Sequence, residues 1–375
     1  MGTAAASAIH PPRPDPRDRL VKNLQRRVIP GLDGIRGIAA LSVVMFHGIS
    51  ERFPGGQAVQ MFFVLSGMLI TWLLLTEERH TGTVSLRAFY WRRAFRLFPA
   101  VVALLGWEFV IDRPRVSHQS ILAVACYYAN YYSAFGGQLG SLIHTWSLAV
   151  EEHFYLIWPP IFVFITNRSR LIKVLLAAAL LSAADRALTG RFLSPVYSLN
   201  ATEPNASGLL LGCAITLLIW SSRRKIPLSI FHPALALLSL LAIVGLAQVP
   251  KESAYAWTAL GVPFEAIILL HAITYEWRVL ENRLARFLGR VSYGIYIWQF
   301  VAIWLVHFLH LAGVYLRWIA MPGAAVLLAA ISHYAIERPA QSFGRMLFAR
   351  MAFSSHRRPI ETRQAPEDFP SYAKE

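Results

Sequence analysis

Apolar runs close to the length of a bilayer crossing recur along the whole chain, and they constrain its fold more than any other feature. They fall at roughly 32–50, 58–76, 97–112, 118–134, 146–166, 171–188, 206–220, 229–248, 255–275, 291–311 and 315–336. A membrane helix needs about 20 apolar residues, because the hydrocarbon core is about 30 Å thick and each helical residue advances about 1.5 Å. Inside the bilayer every backbone polar group must be satisfied internally, which leaves only helices and closed barrels. Barrel strands would read as short alternating segments, and none is apparent. The chain is 55% hydrophobic and only 15% charged, whereas a soluble domain averages about 25% charged. The expected fold is all-α, a polytopic bundle of transmembrane helices.

Loop charge orients such a bundle, since Lys and Arg collect on the cytoplasmic side. Basic clusters occupy the N-terminal tail (Arg13 to Arg27), residues 79–96, residues 168–173, residues 223–225, residues 278–290 and the C-terminal tail from Arg345. If all are cytoplasmic, each interval between them holds an even number of crossings. Only the interval from Arg96 to Arg168 breaks parity, with three runs. Its weakest member is 118–134, whose CYYANYYSAF is polar and aromatic and reads as an interfacial or re-entrant segment. About ten spans with both termini cytoplasmic are therefore expected. Residues 1–30 read as a disordered cytosolic tail without the apolar core of a signal peptide, residues 31–340 as the membrane domain, and residues 341–375 as a second cytosolic tail.

The net charge of +15 is explained by those loops, and no reading motif accompanies it, so nucleic acid is not an expected partner. Cys126 and Cys213 lie in apolar runs without CxxC spacing, and no His/Cys cluster suggests a metal. Walker, GxSxG and dinucleotide motifs are absent from the sequence. Three N-x-S/T sequons, at 167, 200 and 205, are of a kind frequent by chance.

Ionisable residues within apolar runs are costly and mark function by default. Arg36 and His47 are eleven residues apart, three helical turns, so they share a face with Asp33 close to the same stripe. A histidine there titrates near neutrality, with an unperturbed pKa of about 6.5, and suits proton transfer. Arg93 and Arg96, three apart in FYWRRAFRLFP, share a helix face; they read either as membrane anchoring or as a guanidinium pair gripping phosphate. Glu151 and Glu152 sit in HTWSLAVEEHFYLIWP, where Ser147, Glu151 and Tyr155 form an i, i+4 stripe suited to substrate contact. One carboxylate could orient a histidine and the other pair with an arginine. Ser66 and Gly67 in FFVLSG read as close helix packing, and IERP (336–339) as the end of the last helix.

In this combination and order, LDGIRGIAALSVVMFH, VQMFFVLSGMLIT, FYWRRAFRLFP, HTWSLAVEEHFYLIWP, VSYGIYIWQ and IERP make the chain resemble the acyltransferase-3 family of integral-membrane O-acyltransferases. The resemblance implies about ten spans in a cell (inner) membrane. It also implies transfer of an acyl group, often acetyl from acetyl-CoA, to a hydroxyl of polysaccharide, peptidoglycan, a lipid-linked sugar or a macrolide. By position it implies that His47 is the essential histidine, Arg36 its partner, Arg93 and Arg96 the R-x-x-R pair contacting the CoA donor, and Glu151 with Glu152 the acidic pair. Acyl-CoA is then a co-substrate, and no tightly bound cofactor is expected. An SGNH domain, fused in some relatives, has no room in this length and is not expected.

A sugar hydroxyl is a poor nucleophile at neutral pH, and an imidazole that removes its proton during attack on a thioester contributes about 10²–10⁴-fold. The rival reading is a proton-coupled transporter that uses the buried His, Arg and Glu as a relay. A purely structural scaffold would not explain paired carboxylates in an apolar run.

Overall fold

The computed structural model describes residues 15–355 except 27–28, 112–115, 250, 276, 312 and 314, so the outer parts of both expected tails, 1–14 and 356–375, lie outside the described residues. Among the described residues every regular element is a helix and no strand occurs. In chain order, α1 (Pro16–Leu24), α2 (Pro30–Gly48), α3 (Gly55–Thr81) and α4 (Leu86–Ile111) come first. The short α5 (His118–Ala125) and α6 (Ala129–Ala134) and a 3-10 turn (Gly140–Thr145) lead into α7 (Trp146–Phe164) and α8 (Arg168–Phe192). Then come α9 (Pro195–Asn200), α10 (Thr202–Asn205), α11 (Ser207–Ser222), α12 (Pro233–Leu246) and α13 (Lys251–Thr274). The one-turn α14 (Arg278–Glu281) precedes α15 (Arg283–Phe308), α16 (Arg317–Ser332), a π turn (His333–Glu337) and α17 (Arg338–Ser355).

Local chemistry sets these boundaries. Asn167 and Asn282 cap α8 and α15, each accepting a backbone N–H three residues on, at 3.0 and 2.8 Å, the usual relief for orphan donors at a helix start. Gly82, at φ +74°, stops α3, a left-handed position that costs glycine little. Tyr127, at φ +51°, breaks the 118–134 run between α5 and α6. These helices have 8 and 6 residues, about 12 and 9 Å, so neither is long enough to cross a bilayer.

Among the described residues five helices are long and apolar enough to cross a membrane: Gly55–Thr81, Leu86–Ile111, Trp257–Thr274, Arg283–Phe308 and the continuous Arg317–Phe348. The others depart for identifiable reasons, the 25-residue α8 because charged residues (Arg168, Arg170, Lys173, Asp185, Arg186 and Arg191) are spread along it. The 19-residue α2 and α7 are long enough but carry Asp33, Arg36, Glu151 and Glu152. The apolar α11 and α12 have 16 and 14 residues, about 24 and 21 Å.

Small residues bring the helices together. A Cβ on Gly67 of α3 would run into the Leu209 carbonyl of α11, and one on Gly212 into the Val64 carbonyl of α3. Gly289 of α15 abuts the Asp33 carbonyl of α2 in the same way. Such contacts suit a bundle in lipid, where burial of apolar surface does not drive helices together.

Two expectations change. Residues 16–24, placed in a disordered tail, form α1. Leu20 and Leu24, one turn apart, are buried in a cluster with Ile268, Leu269 and Ile273 of α13, and the Asn23 side chain donates to the Ile273 carbonyl at 2.7 Å. IERP does not end the last helix. A π turn absorbs an extra residue at 333–337 and the chain continues as α17, a device frequent at functional positions. Buried Glu337 accepts from Ser332 Oγ there at 3.1 Å.

Candidate active site

Helices α2, α3, α4, α7 and α15 wall a cavity of about 700 Å³, to which the end of α1 also contributes. That volume suits a sizeable small-molecule ligand. The i, i+4 stripe of α7 behaves as its spacing requires: Ser147, Glu151 and Tyr155 all line the cavity. Arg36 and Asp33 reach it from α2, Ser66 from α3, and Arg92, Arg93 and Arg96 from α4. With Arg26 the lining holds five arginines against the two carboxylates Asp33 and Glu151. A low-dielectric cleft with an excess of one sign of charge attracts the opposite sign.

The four cavity arginines of α2 and α4 divide into two kinds. Arg92 is committed to Glu77, at 3.1 Å. The side chains of Arg36, Arg93 and Arg96 form no hydrogen bond or ion pair with any described residue. The Arg93 guanidinium instead lies 3.9 Å from the centroid of the Tyr155 ring. Arg96 is exposed, into the cavity that it lines. Tyr155 is itself anchored: its hydroxyl donates to Glu151 Oε2 at 3.0 Å and lies 3.0 Å from Ser66 Oγ, which donates to Glu151 Oε1 at 2.9 Å. Glu151 thus fixes the ring on which Arg93 rests. Three forked donors around one space match in geometry and charge what planar oxyanions accept.

Other expected residues lie elsewhere. Glu152, the next residue along α7 and about 100° around the helix, does not line the cavity; it lies within electrostatic reach of Tyr127 and Tyr293. The polar ridge of α2 is interrupted. Ala40 and Val43, on the same face between Arg36 and His47, are buried, and His47 does not line the cavity. The imidazole is exposed near the far end of α2, packed on Phe46 and Phe300 at 5.1 and 5.0 Å between centroids. Its Nδ1 lies 2.9 Å from Oε1 of Gln299.

One layer of side chains joins the two places. Tyr296 lines the cavity, and its hydroxyl donates to the His144 carbonyl at 2.7 Å and lies 2.5 Å from Ser147 Oγ. The His144 ring stacks obliquely on Phe300 at 5.2 Å, against the same ring that His47 contacts. Gln299 donates to the Tyr296 carbonyl at 2.9 Å. Sequence reasoning assigned no role to Tyr296, Gln299 or His144, and took Ser66 as packing. The available signal was polarity within apolar runs, because Gln299 and His144 are both buried and buried polar groups need partners. Among the described residues no group of three His, Cys, Asp or Glu side chains converges as metal ligands would.

The cavity, its arginines and the bundle around it define a helical membrane protein with an arginine-rich cavity. Its class follows from comparison. The profile of the family described as acyltransferase domain, the acyltransferase-3 family, matches residues 29–335, and the chain belongs to that family. It is 31% identical over 370 residues to "Putative peptidoglycan O-acetyltransferase YrhL" of Bacillus subtilis (strain 168), covering 88% of this chain and 58% of that protein. It is 30% identical over 318 residues to "Peptidoglycan O-acetyltransferase OatA" of Listeria monocytogenes serovar 1/2a, covering 75% of this chain and 50% of that protein. The chain thus spans little more than half the length of these relatives. No solved structure gives a significant match.

Proposed function

We propose that the protein is a cell-membrane O-acetyltransferase that moves an acetyl group from acetyl-CoA to a carbohydrate hydroxyl, with His47 as general base. The observation that carries the donor half is the trio Arg36, Arg93 and Arg96, unpaired with any described residue, in a cavity of about 700 Å³. CoA presents phosphates at one end and a thioester at the end of a long pantetheine arm. The arginines grip the phosphates, and the arm points toward the floor of the cavity at Ser147 and Tyr296. Arg36 and His47 are separated along α2 by roughly 16 Å of helical rise, so the arm covers the distance once the Tyr296 layer yields. The acceptor hydroxyl meets the thioester from the His47 end.

In the reaction the hydroxyl oxygen bonds to the thioester carbonyl carbon while His47 takes its proton. The C–S bond then breaks, and the departing thiolate of CoA takes that proton. Family membership and the names of the relatives support acetyl transfer, and those names point to a cell-wall glycan as acceptor. Loop charge supports ten spans with both termini in the cytoplasm, and in that topology the arginines face the CoA side and His47 the outside. Purified protein given labelled acetyl-CoA and peptidoglycan fragments should yield labelled, base-labile ester on the glycan. Ester formation equal to that of a protein-free control would reject the reading.

A further inference from the structure

The environment of His47 holds a second assignment. Gln299, on α15, is fully buried. Its amide is fixed by what lies on either side. One face meets the backbone carbonyl of Tyr296 at 2.9 Å, and a carbonyl only accepts, so the amide N–H₂ must point there. The opposite face, Oε1, then meets His47 Nδ1 at 2.9 Å. Turning the amide over would set two acceptors against each other at the Tyr296 carbonyl with no hydrogen between them. An amide oxygen also only accepts, so Nδ1 must carry the proton. In a neutral imidazole the other nitrogen, Nε2, then keeps its lone pair.

We propose that Gln299 is the positioning residue of this acyltransferase, fixing the His47 tautomer so that Nε2 is the base; the assignment rests on the reading of His47 as general base. The acceptor O–H proton passes to Nε2 as the new C–O bond forms. During that step the imidazole gains positive charge, and its Nδ1–H···Oε1 bond becomes charge-assisted and stronger. The proton then leaves from Nε2 to the CoA thiolate, and Nδ1 keeps its hydrogen throughout. The backbone carbonyl of Val43, one turn back on α2, is the other hydrogen-bond acceptor within reach of the ring; the remaining neighbours do not compete for this role. Phe46 and Phe300 offer only ring surface. His144 lies 3.1 Å through Nε2 from the Ile297 carbonyl, which only accepts and so fixes that Nε2 as its own donor. The ionisable neighbours within electrostatic reach are Glu51 and His144.

The test combines a tautomer readout with kinetics. In purified protein carrying ¹⁵N-histidine, the His47 resonances are identified by their loss in His47→Ala. They should show a protonated Nδ1 and an unprotonated Nε2 at neutral or higher pH. In Gln299→Met, which keeps the shape and removes the acceptor, the Nδ1–H form should no longer dominate. Turnover should fall roughly ten- to hundred-fold while KM for acetyl-CoA stays within about two-fold, because Gln299 touches no donor site. Gln299→Glu restores an acceptor for Nδ1, recovers part of the turnover, and moves the acidic limb of the kcat profile to higher pH, since a carboxylate makes the ring more basic. A wild-type His47 protonated on Nε2, or unchanged kcat in a Gln299→Met variant that binds CoA normally, would overturn the assignment. If the Met variant fails to fold, the wild-type tautomer still decides. Retained turnover in His47→Ala would instead remove the underlying reading, and the two failures are therefore distinct.

Discussion

Replacing Arg93 by lysine keeps a positive charge in the cavity and removes a plane. In the structure that plane lies 3.9 Å from the Tyr155 ring centroid, an arrangement worth about 0.5–2 kcal/mol depending on desolvation. The guanidinium also loses its fork, and each charge-assisted hydrogen bond to phosphate contributes about 1.5–3 kcal/mol. Arg93→Lys and Arg96→Lys should therefore each weaken CoA binding roughly ten- to hundred-fold, with neutral replacements worse. Tyr155 separates the two contributions. Tyr155→Phe keeps the ring under Arg93 and should cost less in CoA affinity than Tyr155→Ala, which removes it. The assay is calorimetric titration of CoA into detergent-purified variants whose thermal unfolding matches the wild type. Wild-type affinity in both lysine variants would refute the reasoning and return these arginines to plain membrane anchoring, for which charge alone counts.

Gly212→Ala sets a methyl group against the Val64 carbonyl and should destabilise the bundle by about 1–3 kcal/mol, read as a lower thermal midpoint in detergent. The proposed topology predicts that a cysteine at position 80, an exposed site just before Gly82, is shielded from an impermeant thiol reagent in intact cells. A cysteine in place of Tyr315, which is 88% exposed between α15 and α16, should label from outside.

Much of the site was legible because helical spacing converts sequence directly into a face. Ser147, Glu151 and Tyr155 line one wall as their period demands, and the Arg93/Arg96 spacing brings both guanidiniums to one cavity. The same reasoning failed between Arg36 and His47. Spacing gives direction about an axis but not what packs against it, and Ala40 and Val43 are buried at the middle of that ridge. Adjacent Glu151 and Glu152 look like a pair in sequence, yet neighbours on a helix diverge by about 100° and face different surroundings. Partnerships across the bundle were not readable at all. His47 with Gln299 and Ser66 with Glu151 are 252 and 85 residues apart and follow from how α2, α3, α7 and α15 pack. The helix α1 was missed because a single turn-spaced pair, Leu20 and Leu24, is faint among prolines and arginines.

The central claim is that one cavity holds the donor while a separate imidazole performs the transfer. Its most direct test is His47→Ala with CoA binding and labelled acetyl transfer measured on the same purified sample. Because His47 lies outside the arginine cavity, CoA affinity should stay within about two-fold while transfer to glycan falls about 10²–10⁴-fold. Acetyl transfer near the wild-type rate in that variant would contradict the account.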